Sequence, residues 1–201
     1  MEQVPREEFV PARYKHLAQA DRPLPIGYGQ TISQPYVVAL MTQLLELSPE
    51  DKVLEVGTGS GYQAAILSYL VKDVYTIEII RVLAERAQTV FEKLNLKNIH
   101  TRVGDGYYGW QEEAPFDAIL LTAAPTFDIP PHLKEQLADG GRLVAPVGGS
   151  GEDQILWRYI RRGQDWRREN WGTVAFVPFT RASGENHTSA CIKPDFGEDY
   201  G

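Results

Sequence analysis

Cysteine is all but missing. Cys191 is the single one in 201 residues, so no disulfide can form within the chain, which fits a reducing compartment. Long apolar runs are missing too. Nothing approaches the roughly 18 residues a membrane-spanning helix needs, and the first residues carry no signal-peptide pattern; a soluble, cytoplasmic protein is expected. Histidine is sparse, and His16, His100, His132 and His187 are scattered without ligand spacing, so no metal is expected. Positive charge is in deficit: 20 Lys and Arg against 27 Asp and Glu leave a net charge of −7, which argues against a general nucleic-acid binder. Arg158, Arg161, Arg162, Arg167 and Arg168 do cluster, but along a predicted hairpin, where a solvated surface accounts for them. No internal repeat is visible.

What is present is a core-forming chain, 43% hydrophobic, enough for a single domain over residues 1–181. Residues 182–201, rich in Gly, Ser, Asn, Asp and Glu, read as a flexible acidic tail. The pattern predicts a short helix over Arg6–Ala20, a loop over Asp21–Gln34 and a helix over Pro35–Leu47, with proline in the first turn. Strands follow at Lys52–Val56, Val74–Glu78, Ile99–Val103, Phe116–Thr122 and Arg142–Val147. Helices fall between them at Tyr62–Val71, Arg81–Leu94 and Pro131–Ala138. Ile155–Ile160 and Thr173–Pro178 read as an antiparallel pair joined by a turn near Gly163. This alternation implies an α/β fold: a doubly wound, mostly parallel sheet with an antiparallel C-terminal pair and an N-terminal helical cap over residues 1–51.

Three strand ends carry polar signals. Val53–Tyr62 runs from an apolar strand into a turn with Gly57, Gly59 and Gly61, where a backbone free of Cβ atoms can approach an adenosine-bearing cofactor. Tyr62 stands where the dinucleotide fingerprint has its third glycine, and no P-loop Lys-Ser/Thr pair follows. Glu78 ends the next strand, beside the glycine turn in a doubly wound sheet, and could accept from both hydroxyls of a ribose; alternatively it is an exposed acid solvated by Arg81. Asp105, within Gly104-Asp105-Gly106, could accept from an adenine amino group or cap its own turn. Tyr107, Tyr108 and Trp110 could flank an adenine or belong to the core. Ser33, two residues before Pro35, has the position of a helix N-cap.

Further pieces surround these signals: Val4–Pro11, Pro23–Gly27, Gln30–Pro35, Val103–Gly106, Ala114–Ile119, Gly140–Val144, Pro146–Gly148 and Phe176–Pro178. Over roughly residues 4–180 the chain resembles the protein-L-isoaspartate O-methyltransferases. The glycine turn and Gly-Asp-Gly are common to many methyltransferases; Thr31-Ile32-Ser33-Gln34-Pro35 is much more specific. The resemblance implies the Rossmann-like class I methyltransferase fold, with residues 52–181 as the cofactor-binding sheet and the substrate loop within 1–51. It implies S-adenosylmethionine as methyl donor, S-adenosylhomocysteine as product, and protein repair as the role. The acceptor would be the free α-carboxylate of isoaspartyl (and D-aspartyl) residues in damaged proteins and peptides, and the enzyme is expected to act as a monomer.

Carried over residue by residue, cofactor contacts fall on Glu55, Gly57, Thr58, Gly59, Ser60, Gly61, Glu78, Asp105 and Gly106. The active-site serine matches Ser33. Gln30, Thr31, Ile32 and Gln34 are expected to line the substrate site, together with Val177, Pro178, Phe179 and Thr180 from a segment that closes over it. The last strand, ending at Val177–Phe179, is expected to present backbone groups to an extended peptide. Two features depart from the family: the length of Thr122–Pro130, and the acidic tail beyond Ser183. A methyltransferase of small metabolites would share the glycine turn and both acids but has no use for residues 30–35. A nicotinamide-dependent dehydrogenase is disfavoured by Tyr62, and a non-catalytic binding module by the intact turn and acids.

Overall fold

Pro5 and Pro11 decide how the chain begins. The computed structural model describes residues 3–149, 151 and 153–182, and the expected single helix over Arg6–Ala20 is two 3-10 turns, Arg6–Phe9 and Ala12–Leu17. Pro11 supplies no N–H and holds Val10 extended, which no continuous helix survives. The expected loop that follows contains a hairpin of β1 (Leu24–Gly27) and β2 (Gln30–Ile32), paired antiparallel through Leu24 and Ile32. Leu24 and Ile26 point inward and Pro25 outward, and Gly27, Tyr28 and Gly29 turn the chain at positive φ. Two prolines and two glycines masked this short strand pair in the sequence.

Beyond it, α1 (Pro35–Leu44), β3 (Lys52–Val56), α2 (Tyr62–Ser68), β4 (Asp73–Glu78), α3 (Arg81–Lys93), β5 (Ile99–Val103), β6 (Phe116–Leu121) and α4 (Pro131–Glu135) follow the expected order. β7 (Leu137–Val147) begins earlier than predicted, taking up residues expected in the helix. It pairs with β6 at Leu137 and again from Arg142, and the irregularity between holds Gly140 and Gly141. β8 (Gln154–Arg162) and β9 (Asp165–Val174) form the antiparallel pair around Gly163. The predicted strand over Thr173–Pro178 is therefore displaced: β9 begins eight residues earlier and shares only Thr173 and Val174 with it. Its polar sequence hid it, since it closes one edge of the sheet and is mostly exposed. Val177–Phe179 instead runs beside the loop after β6, joined by the Ala124 amide to Val177 O and the Phe179 amide to Ala124 O, each 2.9 Å.

The seven strands stand in the order β5-β4-β3-β6-β7-β8-β9, parallel from β5 to β7. Because side chains alternate across a strand, adjacent residues enter different cores. Val53, Val74 and Leu120 pack with α1, α2, α3 and the N-terminal residues Val4, Phe9 and Ile32. Leu54, Ile77 and Leu121 pack with Ile129, Leu133 and Trp110 on the other face. That second face is covered by one short helix, α4, and 3-10 turns. Among the described residues no helix is long and apolar enough to cross a membrane. The tail over 183–201 lies outside the described residues.

Candidate active site

β3 has β4 on one side and β6 on the other, and a doubly wound sheet opens a crevice at the carboxyl ends of such a strand pair. Gly57 makes that meeting possible. Its φ is +102°, and a Cβ there would stand 2.4 Å from the Thr122 hydroxyl at the end of β6. Thr122 Oγ1 donates to the carbonyls of Val56 (3.2 Å) and Gly57. Gly61, at φ +88°, starts α2, where a Cβ would press 2.7 Å from the Phe91 ring of α3. The Gly57 and Thr58 amides donate to Ile77 O on β4 at 2.8 and 3.2 Å. A cleft open to solvent lies over this turn.

Most of the expected residues border it: Gln30, Thr31, Ile32 and Ser33, then Glu55, Gly57, Thr58, Gly59 and Ser60, then Glu78 and Gly106, and finally Val177, Pro178, Phe179 and Thr180. Gly61, Gln34 and Asp105 do not. Gly61 is engaged in the helix start. The Gln34 amide donates to Asp21 Oδ2 at 3.0 Å, away from the cleft. Asp105 caps its own turn, accepting from the Tyr107 amide at 3.0 Å through one oxygen, and from Arg181 Nε at 2.9 Å and the Ala182 amide at 3.1 Å through the other. Burial pushes this carboxyl up, but Arg181 and the two amides outweigh it and the pKa lies below the ordinary value. The Arg181 guanidinium lies over the Tyr107 ring at 3.6 Å, and Tyr107 and Tyr108 pack with His132. Trp110 packs against Tyr75 in the second core. None of these aromatics lines the cleft.

Glu78 is a fixed acid. Its Oε2 accepts from the Gly59 amide at 2.8 Å and its Oε1 from the Ile80 amide at 2.9 Å, while Arg81, the alternative partner, pairs with Glu85 at 3.9 Å. Burial raises its pKa, and the amides of Ile80, Gly59 and Ile79 restrain the rise. Glu55 lies deeper, wholly buried. Its Oε2 accepts from the Thr76 hydroxyl, which lies 2.7 Å from the hydroxyl of Thr58. Burial pushes the carboxyl up to about 8, with the Thr76 hydroxyl and the Ala64 amide restraining the rise. These features fit an adenosine-bearing cofactor: a Cβ-free turn and an immobilised carboxylate with acceptor capacity left over.

Ser33 is not the cap of α1. The N-cap position is Gln34 and carries no side-chain cap bond; the first-turn amide of Tyr36 donates to Asp21 Oδ1 at 2.9 Å instead. Val177–Phe179, expected to end the last strand, lies beyond β9, and its Val177 O and Phe179 N are bonded to Ala124. Sequence reasoning missed Tyr62, Gln63, Thr122 and Ala123 in the lining. Gln63 could have been found as the one amide in an otherwise apolar start of α2, and Thr122 as the hydroxyl ending an apolar strand. The arginine cluster forms no groove: Arg158 is buried between Glu46 (2.6 Å) and Glu169 (3.5 Å), and Arg168 covers Trp157 at 4.1 Å.

The decisive comparison is with whole families. A profile described as Protein-L-isoaspartate(D-aspartate) O-methyltransferase matches residues 1–184. The chain belongs to this family. Among its relatives, a protein-L-isoaspartate O-methyltransferase of Dictyoglomus turgidum is 54% identical over 87% of this chain and 79% of its own length. One of Gloeobacter violaceus is 49% identical over 93% and 91%. A solved protein-L-isoaspartate O-methyltransferase superposes with a TM-score of 0.78 at 29% identity, over 87% of this chain; the chain spans 58% of that larger one. A methyltransferase of Thermotoga maritima, at a TM-score of 0.54 and 19% identity over 83% of the chain and 68% of its own, shares the fold.

Proposed function

We propose that this protein transfers a methyl group from S-adenosylmethionine to the free α-carboxylate of isoaspartyl residues in damaged proteins and peptides. One observation carries the reading beyond family membership: a single cleft joins the glycine turn and Glu78 to Ser33 and the 177–180 segment. When bound, S-adenosylmethionine supplies a methyl group already activated by its sulfonium, and a peptide α-carboxylate, with pKa of about 3.5, is already ionised at neutral pH. The protein therefore needs no strong general base, and its part is alignment.

In this reading Gly57, Thr58, Gly59 and Ser60 offer backbone to the cofactor, Glu78 accepts from its ribose, and Glu55 lies beneath the turn that holds it. Ser33 donates a hydrogen bond to one carboxylate oxygen of the peptide, leaving the other to face the methyl group. A neutral hydroxyl suits this better than a cation, which would stabilise the nucleophile too strongly. Thr31 and Gln30 border the peptide on one side and Val177–Thr180 on the other, with Phe179 keeping water from the reacting atoms. Alignment of this kind contributes up to roughly 7–11 kcal/mol.

The test is labelled methyl transfer to an isoaspartyl peptide and to its aspartyl twin. Transfer to the first alone is expected. A protein that binds the cofactor and labels neither would overturn the reading in favour of a small-molecule acceptor or a binding module.

A further inference from the structure

Arg6 is a cation almost sealed from water, 2% exposed, and among the described residues no carboxylate oxygen lies within ion-pair distance of it. Burying a charge without a counter-ion is costly unless hydrogen bonds replace its water. Three carbonyls from two stretches of chain take its two Nη atoms, Nε has no partner among the described residues, and Asp21 lies near enough to favour the charge. Nη1 donates to Ala18 O at 2.5 Å, and Nη2 donates to Arg22 O at 3.0 Å and to Ser33 O at 2.9 Å. The guanidinium also lies 5.8 Å from the ring of Tyr62, which lines the cleft at the start of α2.

We propose that Arg6 is the positioning residue that holds Ser33 at the methyl-transfer site. The inference rests on the role given to Ser33 above. Ser33 follows the short strand β2 and precedes Pro35, so its backbone is not fixed by a ladder on one side or by helical bonds on the other. Two clasps from the 18–22 stretch compensate. Asp21 holds the side that follows, through Gln34 Nε2 and the Tyr36 amide, and Arg6 holds Ser33 itself against Ala18 and Arg22. The planar fork of Arg reaches separate acceptors from one rigid group, whereas an ammonium concentrates its donors at one point. Lys at this position keeps the charge and loses the clasp.

The experiment compares Arg6→Met, Arg6→Lys, Ser33→Ala and the Arg6→Met/Ser33→Ala double variant in the full chain. Asn98→Ala serves as a structural control. Asn98 Nδ2 likewise clasps three carbonyls, of Ser68, Val71 and Lys72, but away from the cleft. Turnover is read at saturating isoaspartyl peptide, below every unfolding midpoint, with adenosylhomocysteine affinity measured alongside.

Arg6→Met is expected to lower kcat about 10- to 100-fold, the scale of a misplacement near 1 Å. Cofactor affinity should hold within about twofold, and Lys should not rescue. Because Arg6 acts through Ser33, the double variant should be no worse than the slower single variant by more than about threefold. Asn98→Ala should lose stability and keep kcat. Multiplicative losses in the double variant, or a folded Arg6→Lys with wild-type kcat, would overturn the proposal. If Arg6→Met does not fold, Arg6→Lys carries the comparison. If the wild type transfers no methyl to the isoaspartyl peptide, the functional reading falls, and amide exchange over residues 31–34 decides the Arg6 inference separately: faster exchange in Arg6→Lys but not in Asn98→Ala supports it, and unchanged exchange rejects it.

Discussion

At the scale of single residues, two hydroxyl and carboxyl groups carry consequences that can be measured. Ser33 borders the cleft and caps nothing, so its removal should affect chemistry and leave folding alone. Ser33→Ala is expected to lower kcat for an isoaspartyl peptide about 10- to 100-fold, the worth of a hydrogen bond to a charged group, with adenosylhomocysteine affinity unchanged by calorimetry. Glu55 has a pH signature. Its folded-state pKa of about 8 lies above the ordinary 4.5, so the folded protein holds this proton more tightly than the unfolded chain does. The stability gained is complete below the unfolded value and drains away as pH rises through the folded one. Between about pH 5 and about pH 9 the melting temperature of the cofactor-free wild type should therefore fall further than that of Glu55→Gln. The positions of these groups were only partly legible beforehand. Ser33, Glu55 and Glu78 border the cleft, as their place in the sequence led one to expect. Gln34 and Asp105 do not, because each found a nearer partner in Asp21 and Arg181, and a side chain's choice between two partners is a matter of distances that a motif does not contain.

Secondary elements were legible in proportion to how strongly the pattern repeated. β3 and β5 have the predicted bounds, and α3 ends within a residue of its prediction, since Leu83, Ala84, Ala87 and Phe91 make one buried face. The β1–β2 hairpin was missed and β9 placed too late in the chain for opposite reasons: one is crowded with proline and glycine, the other is charged on an exposed edge. The glycine turn shows how an element can depend on a contact distant in sequence. Gly61→Ala combines a left-handed backbone with a Cβ driven against Phe91, and should cost about 3 kcal/mol in urea unfolding, strain and overpacking together. Gly140→Ala, at φ +76° but with nothing within 4 Å, has only the backbone term and should cost about 1 kcal/mol.

Across the whole molecule, the site is assembled from stretches separated by more than a hundred residues. The chain after Thr180 returns to the strand ends through Arg181, whose guanidinium bonds Asp105 and covers Tyr107. That tether anchors the chain next to Val177–Thr180, which borders the cleft and is also bonded to Ala124. Arg181→Met should therefore raise KM for the isoaspartyl peptide roughly tenfold, the value of a partly buried charge-assisted bond, while the melting temperature moves little. Peptide kinetics with cofactor held at saturation separate this from any change in cofactor binding.

Periodicity, glycine spacing and the residues before Pro35 were sufficient to determine the α/β order, the turn after the first parallel strand and the family to which the chain belongs, because each is a local property of neighbouring residues. Only the tertiary structure decided that Asp105 serves Arg181, that Ala124 takes up the backbone of Val177 and Phe179, and that a buried Arg6 grips the carbonyl of Ser33. Those are contacts between distant segments, and they are settled by which groups the packed sheet brings within hydrogen-bond reach.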